Sequence, residues 1–389
     1  MVGEMKRHKA LLLRCALAVM VLIATAATPT APVQPEALST KEFVRLIEDF
    51  SEEGGYFFSD NFTSNEDSYL TIVDKMKELG ATGGAYVGVG PEQNFTYIAK
   101  VRPRIAFIVD IRRQAMIQHL MYKAIFKLSP TRAGFLSLLL SRPMPADKTL
   151  AGNAPLDKIL EVFDKSAADN KLYADNLAAI RKTIQQDIQF PLSKEDLGGL
   201  EYVYRNFRDW GFEVGFEPGG RWGRGRGRGF MRLPNLRELL AQKDLNGKQG
   251  NFLATVDDYN FVRGMHQRNL IIPVVGDFSG NKALAAVGAY LRKRKIPVSV
   301  FYLSNVEIVL LDWGSLEQYS DFVANVKKLP SNERSLLIRT TFSWYGHPAR
   351  LPGYSLCTFL QKLPVFLKDF DEGRYQSYRD LIMTHYIAP

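Results

Sequence analysis

The segment from Ala85 to Asp110 constrains the fold more than any other part of the chain. Ala85-Tyr-Val-Gly-Val-Gly90 is a short apolar run that breaks at glycines, and Pro91 stands where a helix accepts a first-turn proline. Glu92 to Lys100 continues with helical spacing, and Arg104-Ile-Ala-Phe-Ile-Val-Asp110 follows as an unbroken β-branched and aromatic run. A strand that is apolar without alternation is covered on both faces, as in a parallel sheet between helical layers. The segment therefore predicts strand, glycine turn, helix and strand, which is a parallel βαβ unit.

The rest of the chain repeats that logic. Leu270 to Asp277, Pro297 to Leu303 and Ser335 to Phe342 are further buried-strand patterns, with a helix from Lys282 to Lys293 between the first two. Alternating strands and helices predict an open, doubly wound, mostly parallel α/β sheet. Residues of about 111–200 are helical in pattern, broken at Ser129-Pro130, Arg142 to Pro145 and Pro191, and read as an inserted helical layer. Before the sheet, Phe43, Leu46, Ile47 and Phe50 mark an amphipathic helix capped by Ser39 or Thr40, and a second helix is expected from about Ser68 to Leu79. Ser64 to Asp67 has capping-box spacing. The domain is expected over 39–389.

The N-terminus has the form of an export signal. Lys6, Arg7, Lys9 and Arg14 precede an apolar run from Cys15 to Ala27 that ends in Ala24-Thr25-Ala26. That run is shorter than the ~20 residues of a spanning helix, so residues 1–26 read as a cleaved signal peptide and 27–38, rich in Pro, Ala and Thr, as a tether. The expected location is periplasmic or extracellular, without a membrane span after cleavage. With 46% hydrophobic and 23% charged residues, the body is a globular chain, not a disordered one. Two cysteines and five scattered histidines exclude a disulfide framework and show no zinc-ligand spacing, so no metal is expected. The net charge of +9 is largely local. Arg221, Arg224, Arg226, Arg228 and Arg232 crowd a Gly/Arg-rich loop at about 217–232. Such a segment resembles nucleic-acid binders. Export separates it from RNA, so an anionic envelope ligand or a small molecule is the expected partner.

Ligands of doubly wound sheets bind beyond the carboxyl ends of the strands, which directs attention to the polar residues there. Gly88 and Gly90 allow backbone to approach a ligand, Glu92 opens the following helix, and Asp110 closes the next strand 20 residues after Gly90. Asp277 and Glu307 are candidate catalytic carboxylates, with Asn305 beside them. Asp60, Asn61 and Asn65, in the polar loop before the first strand, are candidate substrate-binding residues. Each also has a plain structural use as a turn, a helix cap or an ion pair of Asp110 with Arg112 or Arg113.

Tyr86-Val-Gly-Val-Gly90, the helix after it and Asp110 resemble the cofactor half of Rossmann-type S-adenosylmethionine-dependent methyltransferases. The chain is also similar to uncharacterised exported bacterial proteins sharing a VGVGPEQNFTYIA-like segment. The methyltransferase resemblance implies that Gly88 and Gly90 line the methionine and ribose region and that Asp110 holds the ribose diol. It covers about 80–115 directly. The sequence departs from that family in lacking an acid just before Gly88 and an NPPY-type motif. Arg112 and Arg113 leave NADP as an alternative cofactor, through a phosphate. Because S-adenosylmethionine is a cytoplasmic metabolite and the N-terminus points to export, two functions stay open. One is methyl transfer, and the other is non-catalytic ligand binding or envelope interaction through the same cleft.

Overall fold

The computed structural model describes residues 37–216 and 233–389. The signal-like N-terminus, the first ten residues of the tether and the Gly/Arg-rich loop lie outside them.

Six strands form one sheet: β1 (Ala85–Gly88), β2 (Ile105–Asp110), β3 (Ile271–Val275), β4 (Val298–Ser304), β5 (Leu336–Phe342) and β6 (Leu356–Lys362). Their order is β3-β2-β1-β4-β5-β6, parallel throughout except for β6, which runs antiparallel to β5. Strands β1, β2 and β3 are buried along their whole length, as expected for strands covered on both faces. Strand order reverses at β1, so β2 and β4 flank it and a crevice opens above β1 and β4.

The helices fall into two groups. Helix α1 (Thr40–Phe50) is capped by Ser39, whose side chain accepts from Glu42 N, and buries Phe43, Leu46 and Ile47. It contacts β3 and a helix at Ala283–Lys293, which in turn packs on the helix at Leu316–Lys327. The second group contains α3 (Gln93–Val101), which follows a short α2 (Val73–Glu78), together with α4 (Arg113–Leu128) and a helix at Val256–Gln267. Right-handed crossovers place the two groups on opposite faces of the sheet.

The helical insertion is longer than the sequence pattern predicts. Among the described residues, helices between β2 and β3 continue past 200, to Trp210 and again at Leu236–Ala241 and Val256–Gln267. The expected helix at Ser68–Leu79 is also different, because only Val73–Glu78 is α-helical. The residues before it are drawn into tertiary bonds. Asp67 accepts from the backbone N–H groups of Ser355 and Leu356 at the start of β6. Ser64 donates to Gln93 Oε1 at 2.5 Å and accepts from Glu66 N, so the Ser64–Asp67 capping box does not form.

The segment before α2 lies across the carboxyl edge of β2 and β3. Glu52 N donates to Val275 O and Gly55 N to Ile111 O, each at 2.8 Å. Gln118 Nε2 on α4 donates to Phe62 O. The polar loop is thereby fixed over the strand ends.

Candidate functional site

The β1–α3 turn is built around two glycines with different reasons for being glycine. Gly90 has φ +79°, a region that favours glycine, and a Cβ there would meet nothing within 4 Å. Gly88 is needed for packing, because a Cβ would stand 2.1 Å from Asn94 Oδ1. Asn94 accepts from Tyr86 OH at 2.9 Å and its Nδ2 reaches the carbonyls of Val89, Gly90 and Pro91. His119 Nε2 lies 2.8 Å from Gly90 O. Burial pulls the His119 imidazole down to about 4, which keeps it neutral at that contact.

A cleft of about 1040 Å³ opens at the carboxyl edge of the sheet. Gly90, Asp110, Asp277, Asn305, Asn61 and Asn65 all line it, although they are as much as 244 positions apart in sequence. Parallel strands of matched register account for this convergence. Gly88 is level with Ile108, and Asp110 is level with Val275. Over the cleft stand exposed aromatic side chains, Phe58 at 46%, Trp313 at 58% and Trp344 at 63%.

Four of the candidates stand elsewhere. Gly88 lies beneath the turn. Glu92 is buried behind the cleft wall, accepting from Ser64 N, and its Oε2 has no partner among the described residues. That burial pushes its carboxyl up to about 7. Asp60 uses its carboxylate on Tyr202 OH and Gln114 Nε2. Glu307, a candidate catalytic carboxylate, is 2% exposed and lies in an ion pair with Arg339, where it also accepts from Tyr319 OH. It does not face the cleft.

Of the charged groups that line the cleft, Asp110 and Arg112 pair with each other, whereas Arg350 donates only to Tyr354 O and neither it nor Asp277 has an ion pair among the described residues. Asp110 Oδ1 accepts from Arg112 N and Nε at 3.0 Å, and Oδ2 accepts from Arg112 Nη2 at 2.7 Å. The same guanidinium donates through Nη1 to the carbonyls of Ser59 and Asp60. Arg113 makes two bonds to Asp196, at 2.7 and 2.8 Å. Asp277 Oδ1 accepts from Ser279 N and Oγ within its own turn. A ribose diol needs an available carboxylate and a nucleotide phosphate an available guanidinium. Asp110 and the two arginines therefore do not fit the roles that S-adenosylmethionine or NADP would give them. Among the described residues no three His, Cys, Asp or Glu side chains are grouped to hold a metal, and no helix is long and apolar enough to cross a membrane.

Sequence reasoning missed the polar network under the floor. Glu66, fully buried, accepts at Oε1 from Tyr302 OH at 2.8 Å and from Ser304 Oγ at 2.5 Å, and at Oε2 from Gln93 Nε2 at 2.9 Å. Desolvation raises its carboxyl above the usual range against these hydrogen bonds. Ser304 and Tyr302 line the cleft, so the buried acid is one side chain away from it. In the sequence Glu66 is one residue of a polar loop, with no local use of its own, and capping was the reading only for its neighbours Ser64 and Asp67.

The family model described as a domain of unknown function, DUF7790, matches residues 61–386, and the chain belongs to that family. The match takes in all six strands and the Asn61–Glu66 loop, and leaves α1 outside. No curated protein matches the chain.

Proposed function

We propose that this DUF7790 protein binds an uncharged amphipathic small molecule across the β1/β4 crevice, with an apolar body against the aromatic rim and a hydroxyl, amide or ester head on the floor. The observation that carries this reading is the state of the polar groups lining the cleft. Asp110 and Arg112 are hydrogen-bonded to each other, and Asp277 and Arg350 to groups of their own turns, whereas Asn65 and Asn305 bring amides to the lining. Neutral amides on the floor suit a neutral head, since a polar group taken out of water needs a hydrogen-bond partner there. Val306, Val309, Leu310, Phe342 and Trp344 supply the apolar side of the same cavity. Exposed rings at a cavity mouth offer large contact area to a ligand.

In the periplasmic or extracellular setting expected from the N-terminus, envelope-derived molecules of this chemistry are the natural ligands. Binding through neutral contacts distinguishes this reading from methyl transfer, which requires a cationic sulfonium cofactor held by its diol. The test is fluorescence titration with N-phenyl-1-naphthylamine, a neutral apolar probe, against S-adenosylmethionine and NADP as competitors. The expected result is saturable binding that neither competitor displaces. Trp313→Ala and Trp344→Ala should each weaken it roughly 2- to 12-fold, the equivalent of ~0.5–1.5 kcal/mol per ring. Displacement by S-adenosylmethionine at concentrations below those of the probe would overturn the reading.

A further inference from the structure

Among the described residues, Ser304 is one of eight non-glycine residues with positive φ and, with Asn61, one of the two of these that line the cleft. It ends β4 at φ +53°, in the left-handed region, and the β4–β5 register shifts between Tyr302 and Ser304. A non-glycine residue held there carries strain on the order of 1–2 kcal/mol, and such strain collects at functional sites. The chain passes from strand through Ser304 directly into a helical turn that includes Ile308–Asp312. A sharp strand-to-helix turn of this kind places Ser304 in the lining of the cleft, with its hydroxyl bonded to the buried Glu66 behind it.

Behind the hydroxyl stands a base. Ser304 Oγ lies 2.5 Å from Glu66 Oε1, the acid is excluded from water, and burial raises its carboxyl. Tyr302 OH and Gln93 Nε2 fix the carboxylate by donating to both of its oxygens. Nucleophile, base and orienting groups are thus in hydrogen-bond reach, with the open cleft in front. Asn305, next in the chain and also lining the cleft, carries an amide N–H that suits a developing oxyanion.

We propose that Ser304 is a nucleophile and Glu66 its general base, and that the cleft hydrolyses uncharged esters with apolar acyl groups. The proposal rests on the neutral, amphipathic ligand inferred for the cleft. Ser304 Oγ bonds to the ester carbonyl carbon as its proton passes to Glu66 Oε1. The bond from that carbon to the leaving oxygen then breaks, and the alcohol departs with the proton from Glu66. Water adds to the acyl-serine, gives its proton to Glu66, and releases the carboxylic acid, with Ser304 recovering the proton. The sum is ester plus water giving acid plus alcohol, with no redox step and no further reactant.

An alkyl fluorophosphonate tests this on the full chain. The expected result is a single phosphonyl adduct, formed with loss of fluoride and mapped by mass spectrometry to the peptide containing Ser304. Ser304→Ala should abolish it. Glu66→Gln should slow labelling by about 100-fold or more, the range of a general base. In the wild type the labelling rate should rise with pH as the Glu66 carboxyl ionises. Adduct formation on another residue overturns the assignment, and so does undiminished labelling of a folded Glu66→Gln. Should Glu66→Gln fail to fold, the wild-type adduct position and the pH profile decide alone. Reversible binding of the neutral probe with no adduct ends the esterase proposal and leaves the binding reading standing. Absence of both ends both.

Discussion

Arg112→Ala should destabilise the protein by about 3–5 kcal/mol, the usual effect of removing one partner of a buried ion pair. The side chains of Arg112 and Asp110 are 9% and 7% exposed, so solvent does little to screen the charge left behind. Asp110 would lose its Nε and Nη2 partners, and the carbonyls of Ser59 and Asp60 would lose Nη1. The Ala37–Pro389 unit has roughly 350 residues, which at ~2.1 cal/mol/K each gives an unfolding entropy of ~0.7 kcal/mol/K. The corresponding fall in Tm is about 4–7 °C, read by urea and thermal denaturation followed by circular dichroism. Because the guanidinium also ties down the loop over the strand ends, chymotrypsin should cut faster after Phe57 and Phe58. The double variant Asp110→Ala/Arg112→Ala removes the uncompensated charge and should recover part of the loss. A single-variant effect below about 1 kcal/mol, or a double variant that loses the sum of both singles, would show that this pair does not clasp the loop.

Three further outcomes follow from the same geometry. Gly88→Ala should be the more damaging glycine substitution by thermal denaturation, since its Cβ meets Asn94 Oδ1 and the Tyr86 ring, whereas Gly90→Ala meets only backbone strain of ~1–2 kcal/mol. The Glu92 carboxyl, at about 7 in the folded chain and 4.5 as its ordinary value, favours folding while protonated. That contribution is complete below pH 4.5 and is lost as pH rises through 7, so the stability of wild type relative to Glu92→Gln should fall by up to about 3 kcal/mol across that window. Glu307→Ala should lower stability by about 3–5 kcal/mol by leaving Arg339 unpaired in the core, with affinity for the neutral probe unchanged.

The parallel part of the fold was legible because its strands are mainly apolar runs separated by helices, whereas the reversal of strand order at β1 was not read from the sequence. Strand β6 was not, since its polar residues are buried for reasons that lie far away in sequence. Thr358 shares hydrogen bonds with Ser68 and Thr340, and Gln361 with Arg339, Tyr375 and Thr384 O. These satisfied polar groups interrupt the pattern that identifies a buried strand. Likewise Arg339 sits mid-strand in β5 because Glu307 neutralises it, a pairing that no spacing rule shows. The Ser64–Asp67 segment reads locally as a capping box, and only the N–H groups of Ser355 and Leu356, nearly 290 positions away, show why Asp67 is used otherwise.

The same distinction governs the candidate site. Topology delivers polar residues to one edge of the sheet, and sequence can identify them as strand ends, but it cannot show how much hydrogen-bonding capacity remains. Asp110 and Glu307 are carboxylates at strand ends in the sequence, yet each has its charge satisfied by an arginine of the same chain. Ser304 and Asn305 look like caps, yet they face the cavity. A ligand is recognised by the groups a protein has not already satisfied. At this edge the amides of Asn65 and Asn305 are among those groups, and the buried acid Glu66 touches the cleft only through Ser304 and Tyr302. That arrangement sets a hydroxyl in front of a buried carboxylate, which is why Ser304, rather than Asp110, is the residue whose chemistry most needs testing.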